Sequence, residues 1–269
     1  MTALATVRDA TTFLFVPGDR SDRFAKAVGA GADLVILDLE DAVAPADKDA
    51  ARDQVAAWVA AGNQCVVRIN ACDTPWHAAD LSALATLDCA VMLPKAQSPT
   101  EVCRVVDALG GSAVVALIET ARGVLAAAEI AAISGIERLA FGSFDFAAEL
   151  AVDPSERDAL LGARTALVLA SAAAGLPGPV DGVTADVDNP QRVADDARYG
   201  RALGFSGKLC IHPRQVAVTA EALRPTAEER EWAQRIVDAS AGIGVVVVDG
   251  KMVDRPVIDR ANRILRQCV

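Results

Sequence analysis

Short apolar runs recur along this chain, and most are followed by a stretch with helical spacing. The runs are Thr12 to Val16, Leu34 to Leu37, Cys65 to Val67, Cys89 to Leu93, Ala113 to Ile118, Ile136 to Phe141, a poor one within Gly178 to Val183, and Gly207 to Ile211. The stretches between them predict helices over about Asp22 to Gly29, Lys48 to Val59, Trp76 to Leu87, Pro99 to Leu109, Arg122 to Ile133, Ser155 to Ala174 and Pro190 to Leu203. Ser98, with Glu101 three residues on, and Asn189 ahead of Pro190 are helix-start signals. The runs are continuously apolar instead of alternating, as parallel strands buried on both faces require. Eight such units at a spacing of about thirty residues predict an α/β fold of the (β/α)8 TIM-barrel type. A doubly wound open sheet would have fewer strands and a glycine-rich turn after the first, and Pro17-Gly18-Asp19-Arg20 is not that turn.

The remainder of the chain breaks this rhythm. Thr226 to Ser240 reads as a helix. Ile243 to Val248, Asp249-Gly250 and Lys251 to Val253 read as a hairpin with a two-residue turn, and Pro256 to Cys268 reads as a last helix. The expected organisation is a barrel over residues 1–222 and a helix–hairpin–helix extension over residues 223–269, packing on the barrel or on a neighbouring subunit.

Composition narrows the classes of function. With 269 residues and 52% hydrophobic content the chain can bury one large core. A net charge of −10 excludes a nucleic-acid backbone as partner, and any anionic small molecule must be held by a local basic cluster. The six cysteines form no CxxC pair. Cys65, Cys89, Cys103 and Cys210 lie in or beside apolar runs and read as buried reduced thiols, so a cytoplasmic protein is expected. Neither a signal peptide nor a membrane-spanning run is expected.

In a barrel of this type chemistry sits at the carboxyl ends of the strands. The residues just past the runs are Arg20; Asp38, Glu40 and Asp41; Arg68 and Asn70; Lys95; Glu119; Ser143 and Asp145; and His212. Glu119 and Asp145 follow consecutive parallel strands and therefore share a rim. Two hard oxygen ligands with room for water and substrate suit Mg2+, although each could instead cap the helix after it. Arg68 is either a bidentate clamp on a substrate carboxylate or the partner of Glu40 in a rim ion pair. Lys95 fits a Schiff-base lysine by position, but pairing with Asp38 or Glu40 is the preferred reading. Asp38, Glu40 and Asp41 are read as orienting the metal, Arg68 or Lys95, and His212, before Pro213, as a structural hydrogen-bonding residue. Arg20, Arg23 and Lys26 form the basic cluster near the mouth and suit a nucleotide phosphate or a solvated helix face.

Several segments carry a resemblance. Phe13-Leu-Phe-Val-Pro-Gly-Asp-Arg20, Gly31 to Val43 with its Asp-Leu-Glu-Asp, Val67-Arg-Ile-Asn70, Leu93-Pro-Lys95, Leu117-Ile-Glu-Thr120, Gly142 to Asp145, Gly207 to Pro213 and Gly250-Lys-Met-Val-Asp-Arg-Pro256 resemble the citrate lyase beta-chain family over essentially the whole chain. The resemblance implies a Mg2+-dependent barrel forming trimers or hexamers. It implies an enzyme that makes or breaks the carbon–carbon bond between an acetyl thioester, such as acetyl-CoA, and a 2-oxo acid. It further implies that Glu119 and Asp145 bind the metal, that Arg68 holds the oxo-acid carboxylate, and that Asp254 is an acid/base delivered from a neighbouring subunit. Arg68, Glu119, Ser143, Arg20 and Lys26 are then the substrate-binding candidates, with Asp38, Glu40 and Lys95 behind them. Two alternatives stand beside this: a subunit of a larger lyase acting on a carrier-protein thioester, and a CoA-independent aldolase of free 2-oxo acids.

Overall fold

The computed structural model describes residues 7–240, 246–248 and 250–266. The chain divides into two compact units, Met1–Ala222 and Leu223–Val269. In the first, strands β1 (Thr12–Pro17), β2 (Leu34–Asp38), β3 (Val66–Arg68), β4 (Ala90–Leu93), β5 (Val114–Ile118), β6 (Ile136–Phe141), β7 (Val180–Asp181) and β8 (Gly207–Cys210) pair in chain order, all parallel. β8 returns to β1, with Phe13 opposite Leu209, so the sheet closes into the TIM barrel the apolar runs predict.

The helices are α1 (Phe24–Val28), α2 (Lys48–Ala60), α3 (His77–Leu84), α4 (Pro99–Ala108), α5 (Ala121–Ala131), α6 (Ser143–Glu149), α7 (Arg157–Ala173), α8 (Pro190–Leu203) and α9 (Pro213–Leu223). Their starts follow the local chemistry. Ser98 accepts the Glu101 N–H at the head of α4, Thr120 accepts that of Gly123 at α5, and Asn189 accepts that of Arg192 at α8. α8 ends at Gly204, whose φ of 109° is left-handed.

Side chains alternate across each strand, and the two faces fill two cores. Phe13, Ile36, Val66, Met92, Val115, Leu117, Ala140 and Leu209 fill the barrel interior. Leu14, Leu37, Val67, Val91, Ala116 and Leu139 meet the surrounding helices. This double burial is why the sequence shows unbroken apolar runs.

Some elements differ from the sequence expectation. The first helix is split into a 3-10 turn, Ser21–Arg23, and the short α1. The weak seventh run is a true strand, but of two residues, and it ends in the buried Asp181. The chain turns into α6 directly after Gly142, so Asp145 stands in the first turn of a helix and not at a strand end. Cys103 is exposed on α4, contrary to the buried thiol expected there, whereas Cys65, Cys89 and Cys210 are buried; all four are free. Helical spacing turned Cys103 outward while Val102 and Val105 took the core.

The second unit contains α10 (Ala227–Ala239), an antiparallel pair β9 (Val246–Val248) and β10 (Lys251–Val253), and α11 (Arg255–Arg266). Thr226 and Glu229 form a reciprocal capping box at the head of α10. Ala233, Ile236, Val253, Ala261 and Ile264 form its core. Gly250 has a φ of 73°, as a tight hairpin turn needs. Asp249, the expected hairpin residues Ile243 to Val245, and Cys268 lie outside the described residues. No helix among the described residues is long and apolar enough to cross a membrane.

The amino-terminal end of the barrel is closed by Arg138, on an interior position of β6 and 1% exposed. Its guanidinium donates to the carbonyls of Val7 at 2.9 Å, Ala10 at 2.6 Å and Gly178 at 3.0 Å and to Ser206 Oγ at 2.8 Å, and it lies over the Phe13 ring. Burial pulls its pKa down to about 10, so carbonyl dipoles, not a carboxylate, compensate the charge. Replacing it with Met leaves these carbonyls without donors. Arg138→Met is expected to lower stability by about 3 kcal/mol, read as an earlier urea or thermal transition with unchanged far-ultraviolet circular dichroism at 20 °C.

Candidate active site

At the opposite end of the barrel the interior layers change from apolar to charged within one strand repeat. Asp38 lies two residues past Ile36, Arg68 two past Val66, and Glu119 two past Leu117, all on inward-facing positions. Arg68, Glu119 and Asp145 line one cavity of about 100 Å³, walled by Phe15, Leu117 and Phe141 among others. Ser143 is buried at its edge.

Arg68 is the centre of this layer. Its Nε and Nη2 donate to the two carboxylate oxygens of Asp38 at 2.7 and 2.6 Å, and its plane lies over Phe15 at 4.9 Å. Nη1 stands 3.0 Å from Glu40 Oε2, but that oxygen accepts no hydrogen bond. The guanidinium therefore meets Asp38 as a fork and keeps N–H donors on Nη1 and Nη2 for a ligand in the cavity. Burial works against the charge, but Asp38 and Glu40 outweigh it and hold the pKa above the ordinary arginine value. Pairing and a substrate clamp, posed as alternatives by the sequence, are thus compatible here.

Asp38 is itself fixed by the N–H groups of Glu40 and Ala42. Glu40 Oε1 accepts Lys95 Nζ at 2.6 Å, which ties the lysine to the β2 side of the mouth, as the pairing reading expects. Lys95 adopts a left-handed φ of 49°, which turns its backbone N–H onto Glu119 Oε1 at 2.8 Å. Lys95 Nζ is also 3.9 Å from Asp145 Oδ2. Glu119 is 3% exposed. Burial, and then the neighbouring Glu40 and Asp145 carboxylates, push its pKa up to about 8 against the opposing pull of the Lys95 N–H and Arg68. Close approach at this point requires glycine: a Cβ on Gly142 would collide with the Glu119 carboxylate, and one on Gly182 with Ser143 Oγ.

The other candidates are placed less centrally. Arg20 is bound on both sides of its fork by Asp22, and Arg23 and Lys26 are exposed; none of the three lines the cavity. His212 accepts the Arg214 N–H, a structural turn contact. Asp254 belongs to the second unit, is exposed, and accepts the Val257 N–H at 3.3 Å at the head of α11. Lys48 was not legible as a site residue. It is buried at the start of α2, and its Nζ donates to the carbonyls of Leu39 and Glu40 and to Asn70 Oδ1 at 2.6 to 2.7 Å, fixing the loop that carries Glu40. A lysine heading a helix normally faces water, so sequence offers no signal for this.

A closed parallel barrel with acids and one guanidinium gathered at its strand ends is the architecture of a barrel enzyme. The chain belongs to the HpcH/HpaI aldolase/citrate lyase family, whose sequence profile matches residues 11–213, and it is an enzyme of the lyase class. It is 41% identical over 263 residues to a citrate lyase subunit beta-like protein of Mycobacterium tuberculosis, covering 95% of this chain and 94% of that one. It is 36% identical to a (3S)-malyl-CoA thioesterase of Cereibacter sphaeroides, covering 94% and 92%. A crystal structure of CitE from Mycobacterium tuberculosis, in complex with magnesium, acetoacetate and coenzyme A, superimposes with a TM-score of 0.86 at 40% identity, covering 97% of this chain and 98% of that one.

The Glu119 shift has a measurable sign. Its folded pKa of about 8 lies above the ordinary 4.5, so in between the folded state holds a proton that the unfolded chain has released. The resulting penalty grows as pH rises through that window. In EDTA, Glu119→Gln is expected to melt above the wild type at pH 8, with the gain shrinking towards pH 5, as read by scanning calorimetry.

Proposed function

We propose that the chain is a Mg2+-dependent carbon–carbon lyase that cleaves, or in reverse forms, a 3-hydroxyacyl-CoA thioester, giving acetyl-CoA and a 2-oxo acid. The observation that carries this reading is the charge imbalance at the mouth. Asp38, Glu40, Asp41, Glu119 and Asp145 outnumber the cations among them, Arg68, Lys95 and, behind the Glu40 loop, Lys48. Glu119 holds its proton more tightly than usual, first because it is buried and then because Glu40 and Asp145 stand beside it. A divalent cation fits this imbalance, and the donors are all hard oxygens. Among the described residues no three His, Cys, Asp or Glu side chains are grouped to hold a metal. Glu119 and Asp145 would therefore leave most of the coordination sphere to water and substrate, as Mg2+ prefers. The magnesium, oxo acid and coenzyme A found together in the mycobacterial relative support the same assignment.

When bound, Mg2+ supplies Lewis-acid polarisation of a carbonyl oxygen. The chain's own residues do the rest. Arg68 turns its free N–H donors to the oxo-acid carboxylate while Asp38 holds the guanidinium plane. Phe15, Leu117 and Phe141 keep the cavity apolar beneath it, where charge interactions are strong. In cleavage the 3-hydroxyl gives its proton to solvent water and its carbon becomes the carbonyl of the oxo acid, while the C2–C3 bond breaks and its electron pair passes to the thioester enolate. Asp254, brought from a neighbouring subunit of a trimer or hexamer, gives a proton to the enolate carbon and removes it in the synthetic direction. Lys95, held by Glu40 and turned on Glu119, is left a positioning role and not a Schiff base.

The test is an assay with Mg2+ and a panel of 3-hydroxyacyl-CoA esters, including malyl-CoA and citramalyl-CoA. EDTA-sensitive release of acetyl-CoA is expected, and its absence with every ester overturns the reading. Arg68→Lys keeps the charge but loses the fork, and a fall in kcat/KM of about a hundredfold or more is expected. If the site is shared between subunits, Glu119→Gln and Asp254→Asn are each inactive alone, and oligomers reassembled from a mixture of both regain activity. Metal-dependent cleavage of free hydroxy-oxo acids, with no acetyl-CoA released from any ester, favours the CoA-independent aldolase. The beta-like subunit name of the mycobacterial relative favours one second reading, action on a carrier-protein thioester within a larger lyase. Co-purification of carrier and transferase chains would support it.

A further inference from the structure

Behind the catalytic cavity lies a second polar cluster that the proposed chemistry does not use. Val180 and Leu209 face the barrel interior, so alternation turns their neighbours Asp181 and Lys208 outward, towards α7 and α8. Lys208 is 2% exposed, and burial lowers its pKa. Asp181, in register with it across β7 and β8, accepts Arg164 Nε from α7 at 2.9 Å. Asp196 of α8 accepts Arg157, Arg192 and the Thr184 hydroxyl. Lys208, Asp181, Asp196 and Arg164 border a polar cavity of about 30 Å³, whose lining continues to Ser143 and Val183 of the catalytic cavity. A buried ammonium on a strand is costly unless it holds something in place.

What it holds is Gly182. Lys208 Nζ donates to the Gly182 carbonyl at 2.5 Å. Gly182 packs so tightly on Ser143 that no Cβ fits between them. Ser143 is the first residue of α6, whose first turn carries Asp145. The preceding Gly142 is pressed in the same way on the Glu119 carboxylate. One line of close contacts therefore runs from the Lys208 ammonium through Gly182 and Ser143 to the turn that joins Glu119 and Asp145.

We propose that Lys208 is a positioning residue for the cation site: its bond to the Gly182 carbonyl sets the height of the Gly142–Ser143 turn and so the spacing of the Glu119 and Asp145 carboxylates. The inference rests on the metal assignment made above and touches neither the substrate nor the reacting atoms. Loss of a partner one step removed from metal ligands typically weakens binding by about 10–100-fold.

The experiment measures Mn2+ binding to the full-length protein directly, by electron paramagnetic resonance of free Mn2+, with no turnover involved. Wild type, Glu119→Gln, Lys208→Met, Gly182→Ala and Arg138→Met are compared. Arg138→Met is the control for lost stability alone, because it removes a buried cation from the other end of the barrel. The expected result is a Kd for Mn2+ raised about tenfold or more in Lys208→Met and in Gly182→Ala, within twofold of wild type in Arg138→Met, and beyond measurement in Glu119→Gln. Activity of Lys208→Met should then recover at high Mg2+, so the half-saturating metal concentration moves while kcat does not. A Lys208→Met protein that binds Mn2+ as the wild type does overturns this inference alone. Equal weakening in Arg138→Met also overturns it, because the effect is then one of general stability. If Lys208→Met fails to fold, Gly182→Ala decides between the same outcomes. A wild type that takes up no Mn2+ removes the metal assignment and this inference with it.

Discussion

The bidentate bond between Arg68 and Asp38 is the contact on which the mouth of this barrel depends. A guanidinium taken out of water is costly unless hydrogen-bond acceptors or an opposite charge meet it in good geometry, and at this end of the barrel a carboxylate does so. Asp38 provides both oxygens, and the N–H groups of the following loop hold Asp38. That loop is in turn pinned from below by Lys48, Lys48 by Asn70, and Asn70 by Asp80, which also accepts Arg52. The result is a buried polar network running from α2 to the strand ends. This network stands before any ligand arrives, which keeps the Arg68 donors in one place when a carboxylate enters.

Arg138, the most deeply buried of the arginines among the described residues, offers a contrast that separates stability from function. Arg138 spends its donors on backbone carbonyls and a serine at the closed end. Arg68 is paired on one edge, faces a cavity with the other, and stands beside a carboxylate whose proton affinity is raised. The same side chain therefore staples one end of the fold and leaves binding capacity at the other. The difference lies in what each guanidinium faces: protein acceptors on all three nitrogens of Arg138, a cavity beside Arg68.

Close packing of backbone on carboxylate is the other constraint. Gly142 and Gly182 stand at inward positions one repeat past Ala140 and Val180, where the interior layers would otherwise continue with side chains. Their lack of a Cβ lets the β6 and β7 ends come against Glu119 and Ser143. Asp145 reaches the rim only because α6 starts without a loop, and this ties the acid's position to the backbone at Gly142.

The sequence by itself determined the barrel, because burial on both faces of a parallel strand leaves an unbroken apolar run that can be counted. It also placed Arg68, Lys95, Glu119 and Ser143 at one rim, because parallel strands joined by helices all end on the same side. The same logic offered Asp38 or Glu40 as the partner of Lys95, and the structure decided for Glu40. The tertiary structure alone decided that Asp145 rides on a helix, that Cys103 faces water, and that Arg138, Lys48 and Lys208 are buried cations. A charged residue carries no mark of its burial in the linear pattern. Its partners, such as Val7 and Gly178 for Arg138, or Gly182 for Lys208, are brought to it from distant parts of the chain only when the sheet closes.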